Sequence, residues 1–212
     1  MCIRDRIQII NTGVANIRSL QAAFDRLGQA WNLTEDAGEI EIASHVVLPG
    51  VGAFAAAAES LDRLGVREAV KQRLQDPTKS TLCICLGMQL LCDSSEEAES
   101  AVGLSVIPET IKRFDADVPV PQLGWNAVKP KEQSTAPYPT GEAYFANSFR
   151  LTATPPEGWG YAETEYGGTF VSSVWRGKTL ACQFHPELSG QWGQQVLANW
   201  IAGNVIQEPQ DA

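Results

Sequence analysis

The sequence predicts an α/β domain with a mostly parallel central sheet, flanked by helices and continued by an antiparallel extension. Two observations support this fold. Between residues 7 and 91, short apolar segments alternate with helical segments, the pattern of a parallel sheet covered on both faces. Between residues 143 and 184, short strand-like segments are separated by glycine-containing turn signals, which is typical of antiparallel strands.

The first half of the chain is predicted to begin with a strand at Ile7–Ile10. A helix follows, with apolar residues at positions 17, 20, 24 and 27 on one face and its end at Gly28. We then expect a strand at 30–33, an acidic loop, a buried strand at 46–48, helices at 53–64 and 66–74, and a strand at 81–84 leading into a helix at 86–92.

The second half is predicted to contain more strands than helices. Five prolines between residues 115 and 140 predict a long surface connection, with only a short strand at 125–128. Strands are expected at 143–149, 160–165, 170–175 and 179–184, and a last helix at 192–201. We expect residues 1–6 to be a disordered leader, residues 7–203 to form one domain, and residues 204–212 to be a frayed tail.

Composition excludes several classes of function. The formal charge of −9 and the pI near 4.7 argue against nucleic acid and anionic membrane as partners. No apolar run is long enough to span a bilayer, and the first residues lack the apolar segment of a signal peptide. The five cysteines are an odd number without framework spacing, so we expect a reduced, cytoplasmic setting.

Cys85 stands at the junction between a predicted strand and a predicted helix. Thr81–Ile84 is strand-like, and Leu86 begins a helical stretch with Gly87 in its first turn. A cysteine at such a sharp turn is held at the end of a sheet with its sulfur facing a pocket. Unpaired N–H groups of the helix favour negative charge there, and the Leu86 N–H points to where an oxyanion would form. We therefore predict that Cys85 is a nucleophile.

His185 and Glu187 can complete a nucleophilic site around Cys85. A thiolate needs a base for acyl transfer, and the base needs a group that orients it. Of the two histidines, His45 is expected to hydrogen-bond locally at a strand end, which leaves His185 as the base. Pro186 favours an extended backbone at His185, and residues two apart on an extended segment share a face. Glu187 is therefore expected to accept the His185 ring N–H.

These two motifs resemble those of the class I, or triad, glutamine amidotransferases. The segments that carry the likeness are Cys85–Gln89 and Phe184–Glu187. Four further segments resemble the glutaminase subunits of imidazole glycerol phosphate synthases, from histidine biosynthesis: Thr12–Ser19, Leu48–Phe54, Ser94–Glu97 and Leu123–Asn126. The likeness runs from about residue 7 to about residue 203 and implies a flavodoxin-like architecture.

The resemblance also assigns residues to the substrate. It implies a glutamine pocket formed by Gly87, Gln89, Glu97, Ser148 and Phe149. Glu97 would bind the α-ammonium group of glutamine, and the N–H groups of Ser148 and Phe149 would receive its α-carboxylate.

The loop Gly50–Gly52 has two interpretations. By itself it is a simple strand-to-helix turn. Beside the predicted nucleophile, the freedom of glycine would let a second N–H turn toward the oxyanion. The resemblance implies this role for Gly50 and Val51, in addition to the N–H of Leu86.

The resemblance implies that the chain hydrolyses L-glutamine through a cysteine thioester, without a cofactor. The ammonia would pass to a (β/α)₈-barrel cyclase in a heterodimer that makes imidazole glycerol phosphate. Asn16 and Trp125 would lie on the face that docks this partner, although Trp125 could also be an ordinary core residue. The chain has no Walker-type phosphate loop and no dinucleotide fingerprint with which to use the ammonia itself.

Several positions differ from the family pattern: Asn11, Cys83, Gln122, Asn147 and Leu188. Three alternatives remain open at this point. A zinc site could use Cys83, Cys85, Cys182 and His185, although the spacing of the last two on an extended segment fits poorly. The chain could be a binding subunit without turnover, or a glutaminase that serves a different synthase.

Overall fold

The structure, a computed structural model, describes residues 6–13, 17–115 and 117–203. Within them the helices are α1 Ile17–Arg26, α2 Ala37–Ile42, α3 Phe54–Arg63, α4 Arg67–Gln75, α5 Leu86–Gln89 and α6 Gly190–Ile201. The strands are β1 Ile7–Ile10, β2 Trp31–Thr34, β3 His45–Leu48, β4 Ser80–Ile84, β5 Cys92–Ser95, β6 Ile107–Arg113, β7 Gln122–Pro130, β8 Gly141–Asn147, β9 Phe149–Arg150, β10 Gly160–Glu165, β11 Thr169–Arg176 and β12 Thr179–Cys182.

One large sheet organises the described part of the chain. In the described residues this sheet has nine strands, which lie in the order β2-β1-β3-β4-β12-β11-β10-β7-β8. In this order, neighbouring strands pair in parallel from β2 as far as β12. The remaining neighbours, from the β12–β11 pair to the β7–β8 pair, are antiparallel. A smaller sheet contains β5, β6 and β9. The predicted fold class, a mostly parallel sheet with an antiparallel extension, is confirmed.

Helices cover both faces of the parallel half. On β1, Ile9 packs in the apolar cluster that includes α1 and α6, whereas Ile10 packs in the cluster that includes α2, α3 and α4. On β4, Leu82 and Ile84 belong to the first cluster and Cys83 to the second. Successive side chains on a strand alternate between faces, so Cys83 packs on the opposite face of the sheet from Leu82 and Ile84. The chain then turns at Cys85.

The region between β2 and β3, predicted as an acidic loop, contains α2. Asp36 accepts the N–H of Glu39 at 2.9 Å and caps the helix, and Glu39 accepts the hydroxyl of Thr34 at 2.7 Å. Ile40 anchors the helix in the core. The prediction was wrong because an Asp followed three residues later by Glu is a helix-capping signal, not only acidic composition.

The strand between residues 115 and 140 is longer than the predicted 125–128. β7 has nine residues and pairs with β8 along most of its length. Pro121 directly precedes this strand and Pro130 ends it, positions where proline removes no interior ladder hydrogen bond. The prolines therefore bound the strand and do not interrupt it.

The region after Cys85 also differs from the prediction. α5 ends at Gln89, and a turn leads into β5, whereas a helix to residue 92 was expected. β6 was not predicted. The expectations for residues 1–5 and 204–212 lie outside the described residues, and the division into leader, domain and tail stays a prediction.

Candidate active site

The turn between β4 and α5 holds Cys85 in an unusual backbone conformation. Its φ is 52° and its ψ is −108°, a region that costs a residue with a side chain about 1–3 kcal/mol. The neighbouring strand fixes this geometry, because the Cys85 N–H donates to the carbonyl of Cys182 at 2.7 Å. The strain places the sulfur at the carboxyl end of β4, where ligand sites of parallel sheets occur.

Close packing beneath the turn explains two of the predicted glycines. A Cβ added to Gly87 would lie 2.2 Å from the carbonyl oxygen of Leu48, and one added to Gly50 would lie 2.7 Å from Cβ of Leu86. Gly87 therefore packs against β3 and has no side chain to offer a ligand. Its predicted place among the substrate-binding residues stays a prediction.

His185 and Glu187 pair as predicted, but not on an extended segment. His185 Nδ1 and Glu187 Oε1 are 2.8 Å apart, and the two side chains are 7% and 4% exposed. Pro186–Leu188 forms a 3₁₀ turn. Pro186 favours an extended backbone at the residue before it, and His185 is extended. Proline is also tolerated at the first position of a helical turn, so the chain turns from Pro186 onward.

The surroundings of His185 favour its charged form. Burial lowers the pKa of the imidazole, but its hydrogen bonds to Cys85 and Glu187 outweigh burial and raise the pKa to about 10. Both partners are acids that become anionic on ionisation. The position of the ring between a sulfur and a carboxylate favours the imidazolium form.

The other described cysteines lie in different environments. Burial raises the pKa of the thiols of Cys83 and Cys182 far above that of a free cysteine. Burial, with the carboxylates of Glu109 and Asp93, does the same to Cys92. Cys85 is the one of these four thiols that lines a cavity with a histidine.

The cavity at Cys85 measures about 270 Å³. Its walls come from the loop after β3, the turn at Cys85, the segment after β5, the end of β8 and the side chain of His185. The lining residues are Val51, Gly52, Cys85, Leu86, Gln89, Glu97, Ala146, Asn147, Ser148, Phe149 and His185. The structure thus brings most of the predicted nucleophile, base, oxyanion and substrate residues together around one cavity.

Two of the predicted substrate residues also make protein contacts. Glu97 accepts the N–H of Phe54 at 2.7 Å and so caps the first turn of α3. Gln89 donates from Nε2 to the carbonyl of Phe149 at 3.2 Å. These bonds fix both side chains in the cavity wall before any ligand binds.

The predicted oxyanion donors are not both free. The Leu86 N–H points to the carbonyl oxygen of Gly50 at 3.4 Å. The peptide joining Gly50 to Val51 is planar, so its N–H and its carbonyl point in opposite directions. With the carbonyl turned to Leu86, the Val51 N–H points away from this donor.

The predicted docking face is only partly described. Asn16 lies outside the described residues. Trp125 is 54% exposed, with its ring edge-on to Tyr144 at 6.2 Å, which argues against the core-packing interpretation. Leu123 and Leu188 are exposed as well.

A larger cleft of about 480 Å³ lies between α3, α4 and residues 100–105. Arg67 pairs there with Asp62 and donates to the carbonyls of Val102 and Gly103. The cleft is lined by no cysteine or histidine, so its size does not outweigh the chemistry at Cys85.

His45 has a structural role. Its Nδ1 is 3.1 Å from the hydroxyl of Ser44, and its Nε2 is 3.1 Å from the carbonyl oxygen of Ile201. Burial lowers its pKa. In the described residues no three His, Cys, Asp or Glu side chains cluster as metal ligands, and no helix there is long and apolar enough to cross a membrane.

Sequence reasoning missed Gln183, whose Nε2 lies 3.5 Å from Sγ of Cys85. A signal was present. Gln183 is a polar residue in a buried segment, two positions before His185, and residues two apart on an extended segment share a face.

Comparisons with known proteins place the chain in a family. The family model of class-I glutamine amidotransferases matches residues 8–204. The chain is 40% identical over 197 residues to "Imidazole glycerol phosphate synthase subunit HisH" of Moorella thermoacetica, covering 92% of this chain and 93% of that protein. It is 38% identical over 200 residues to "Imidazole glycerol phosphate synthase hisHF, chloroplastic" of Arabidopsis thaliana, covering 92% of this chain but only 34% of that longer protein.

Solved structures share the fold at low sequence identity. A crystal structure of a glutamine amidotransferase matches with a TM-score of 0.74 at 16% identity, covering 94% of this chain and 99% of that one. A glutamine amidotransferase of Thermotoga maritima matches with a TM-score of 0.59 at 17% identity, covering 94% and 81%. From the family match and the similarity to the HisH subunits, the chain belongs to the class-I glutamine amidotransferases.

Proposed function

We propose that this chain is a glutaminase that hydrolyses L-glutamine to glutamate and ammonia through a thioester at Cys85. The observation that carries the proposal is the single cavity in which Cys85, on its strained turn, meets the buried pair of His185 and Glu187. Family membership supports the same reaction. The volume of the cavity suits a small ligand such as an amino acid.

The proposed reaction assigns one step to each group. The thiolate of Cys85 attacks the side-chain amide carbon of glutamine, and the carbonyl oxygen becomes an oxyanion. The imidazolium of His185 gives its proton to the leaving nitrogen, so that ammonia departs and a thioester remains. Neutral His185 then takes a proton from water, which attacks the thioester and releases glutamate. Glu187 orients the ring and stabilises its charge.

Substrate recognition is proposed for groups of the cavity wall. Glu97 presents a carboxylate to the α-ammonium group of glutamine, and the backbone at Ser148 and Phe149 receives the α-carboxylate. Gln89 lines the same cavity and donates to the carbonyl of Phe149. The oxyanion is bound by the N–H of Leu86 and, after the peptide between Gly50 and Val51 has turned, by the N–H of Val51.

The product needs a recipient, for which we propose a (β/α)₈-barrel cyclase. Ammonia released into neutral water becomes ammonium, a poor nucleophile, so it must be passed on before it is protonated. The HisH relatives are named as synthase subunits. The Arabidopsis protein is named as the synthase itself, and its chain is about three times as long as the part that matches. We propose a heterodimer in histidine biosynthesis that docks through Asn16 and Trp125.

The setting proposed for this heterodimer is the reducing cytoplasm. The cysteines in the described part of the chain are free thiols. A nucleophilic thiol such as Cys85 works only while it is reduced.

Affinity labelling tests the proposed nucleophile. A diazo-ketone analogue of glutamine is expected to modify one thiol, at Cys85, because this sulfur lies in the proposed glutamine cavity and the other described thiols are buried with raised pKa values. Peptide mass spectrometry locates the label, and excess glutamine should protect against it. Label at Cys83, Cys92 or Cys182 would count against the site.

Replacement of Glu187 tests the role of the carboxylate. His185→Ala removes the proton carrier and is expected to lower kcat by about 10²- to 10⁴-fold. Glu187→Gln keeps an oxygen for the ring N–H and should lower kcat less. Because it removes the anion that helps raise the pKa of His185 to about 10, the alkaline limb of the pH–rate profile should move to lower pH.

The measurement is kcat/KM across neutral and alkaline pH for wild type and Glu187→Gln. An unchanged rate and an unmoved alkaline limb would show that Glu187 does not act on His185.

A further inference from the structure

The sulfur of Cys85 contacts a side-chain amide as well as the base. Nε2 of Gln183 lies 3.5 Å from Sγ, and Gln183 is buried, with 1% of its surface exposed. The carbonyl oxygen of Ala146 lies 3.9 Å from the same sulfur. The ring of His185, paired with Glu187, also hydrogen-bonds Cys85, and the carboxylate of Glu97 lines the same cavity. The N–H of Gln183 and the carbonyl oxygen of Ala146 therefore act on the charge state of Sγ together with these charged groups.

A chain of hydrogen bonds decides which end of the Gln183 amide faces the sulfur. The carbonyl oxygen of Phe149 can only accept, and Nε2 of Gln89 donates to it at 3.2 Å. The same Nε2 donates to Oε1 of Gln183 at 2.9 Å. The oxygen end of Gln183 is therefore turned to Gln89, and its N–H donors are turned to Cys85.

We propose that Gln183 is a positioning residue for the nucleophile, whose buried N–H stabilises the thiolate of Cys85 and directs Sγ into the cavity. A hydrogen bond to an ionised acceptor is about twice as strong as one between neutral groups, so it favours the thiolate over the thiol. It also offsets the carbonyl dipole of Ala146. This inference rests on the proposed function, which requires a thiolate at Cys85.

The test is the pH dependence with which iodoacetamide alkylates Cys85, followed by mass spectrometry. Gln183→Met keeps a side chain of similar length and lacks the N–H. Compared with wild type, we expect about 10-fold slower alkylation at neutral pH and a half-maximal rate about one pH unit higher. At strongly alkaline pH, where the thiol ionises without assistance, the two proteins should react at similar rates.

Two further variants separate the hydrogen bond from packing. Gln122→Met is the matched control, because Gln122 is also fully buried and its amide has no hydrogen-bond partner among the described residues. It should keep the wild-type profile. Gln183→Glu keeps an acceptor for Gln89 and replaces the N–H end by an oxygen, so it should also slow alkylation at neutral pH. Thermal unfolding checks that each variant is folded.

Two results would overturn the inference. One is a wild-type alkylation profile in a folded Gln183 variant. The other is a loss of reactivity that is equal at every pH, because that loss indicates damage to the site and not a smaller thiolate fraction. Glutamine hydrolysis by the wild-type protein is scored separately. A protein that shows the alkylation difference but never hydrolyses glutamine would reject the proposed function alone.

Discussion

Replacing Cys85 by alanine is expected to abolish glutamine hydrolysis, with a loss in kcat of at least about 10⁴-fold, as befits the loss of a nucleophile that acts with its base as a unit. The physical reason is position. Cys85 alone among the described thiols combines a cavity, a histidine partner and the strained turn at the end of β4. Cys85→Ser is expected to be inactive as well, because a hydroxyl does not ionise beside the imidazolium as a thiol does.

Cys83→Ala is the matched control for this experiment. Cys83 lies two residues earlier on the same strand, but its side chain points into the core on the other side of the sheet from Leu82 and Ile84. Its loss should reduce the free energy of unfolding by about 1 kcal/mol and leave kcat largely unchanged. Steady-state glutaminase assays of the two variants give the comparison. Equal losses in both would mean that the turn does not single out the nucleophile.

The parallel half of the fold was predictable because its signals are local. An apolar run that ends at Pro49 marks β3, a run that ends at polar residues before Gly13 marks β1, and the spacing of Leu20, Phe24 and Leu27 marks α1. The errors arose where composition was given more weight than position. The prolines around β7 predicted only a short strand at 125–128, and the acids after β2 predicted a loop, although Asp36 is a helix cap.

The candidate site was predictable in its members more than in its geometry. Cys85, His185 and Glu187 were identified from residue types and spacing, yet the turn that joins the last two is 3₁₀. Gln183 was missed because the role proposed for it depends on which end of its amide faces Sγ. That orientation follows from Gln89 and Phe149, which are distant in sequence.

The orientation of the Gly50–Val51 peptide could not be predicted either. Glycine places few restrictions on its own backbone angles, so the sequence does not show which way this peptide faces. In the structure the carbonyl of Gly50 faces the N–H of Leu86. At 3.4 Å this hydrogen bond is long and therefore weak.

Glutamine hydrolysis is accordingly expected to rise by about 100-fold or more when a barrel cyclase and its ribulosyl nucleotide substrate are both added. In the present arrangement the N–H of Leu86 donates to the carbonyl oxygen of Gly50, and the N–H of Val51 points away from the N–H of Leu86. Each missing oxyanion donor typically costs about 10²- to 10³-fold in rate. A single rotation of the peptide between Gly50 and Val51 would remove the competing acceptor and supply a second donor.

A partner can drive that rotation only if it binds the rotated state more tightly than the present one. The decisive measurement is steady-state glutamine hydrolysis by the chain alone, with the cyclase, and with the cyclase plus nucleotide. A synthase of another pathway tested in parallel addresses the alternative partner, and it should leave the rate low. A rate that is already high for the chain alone, and that neither component changes, would contradict the coupling while leaving the chemistry of Cys85, His185 and Glu187 intact.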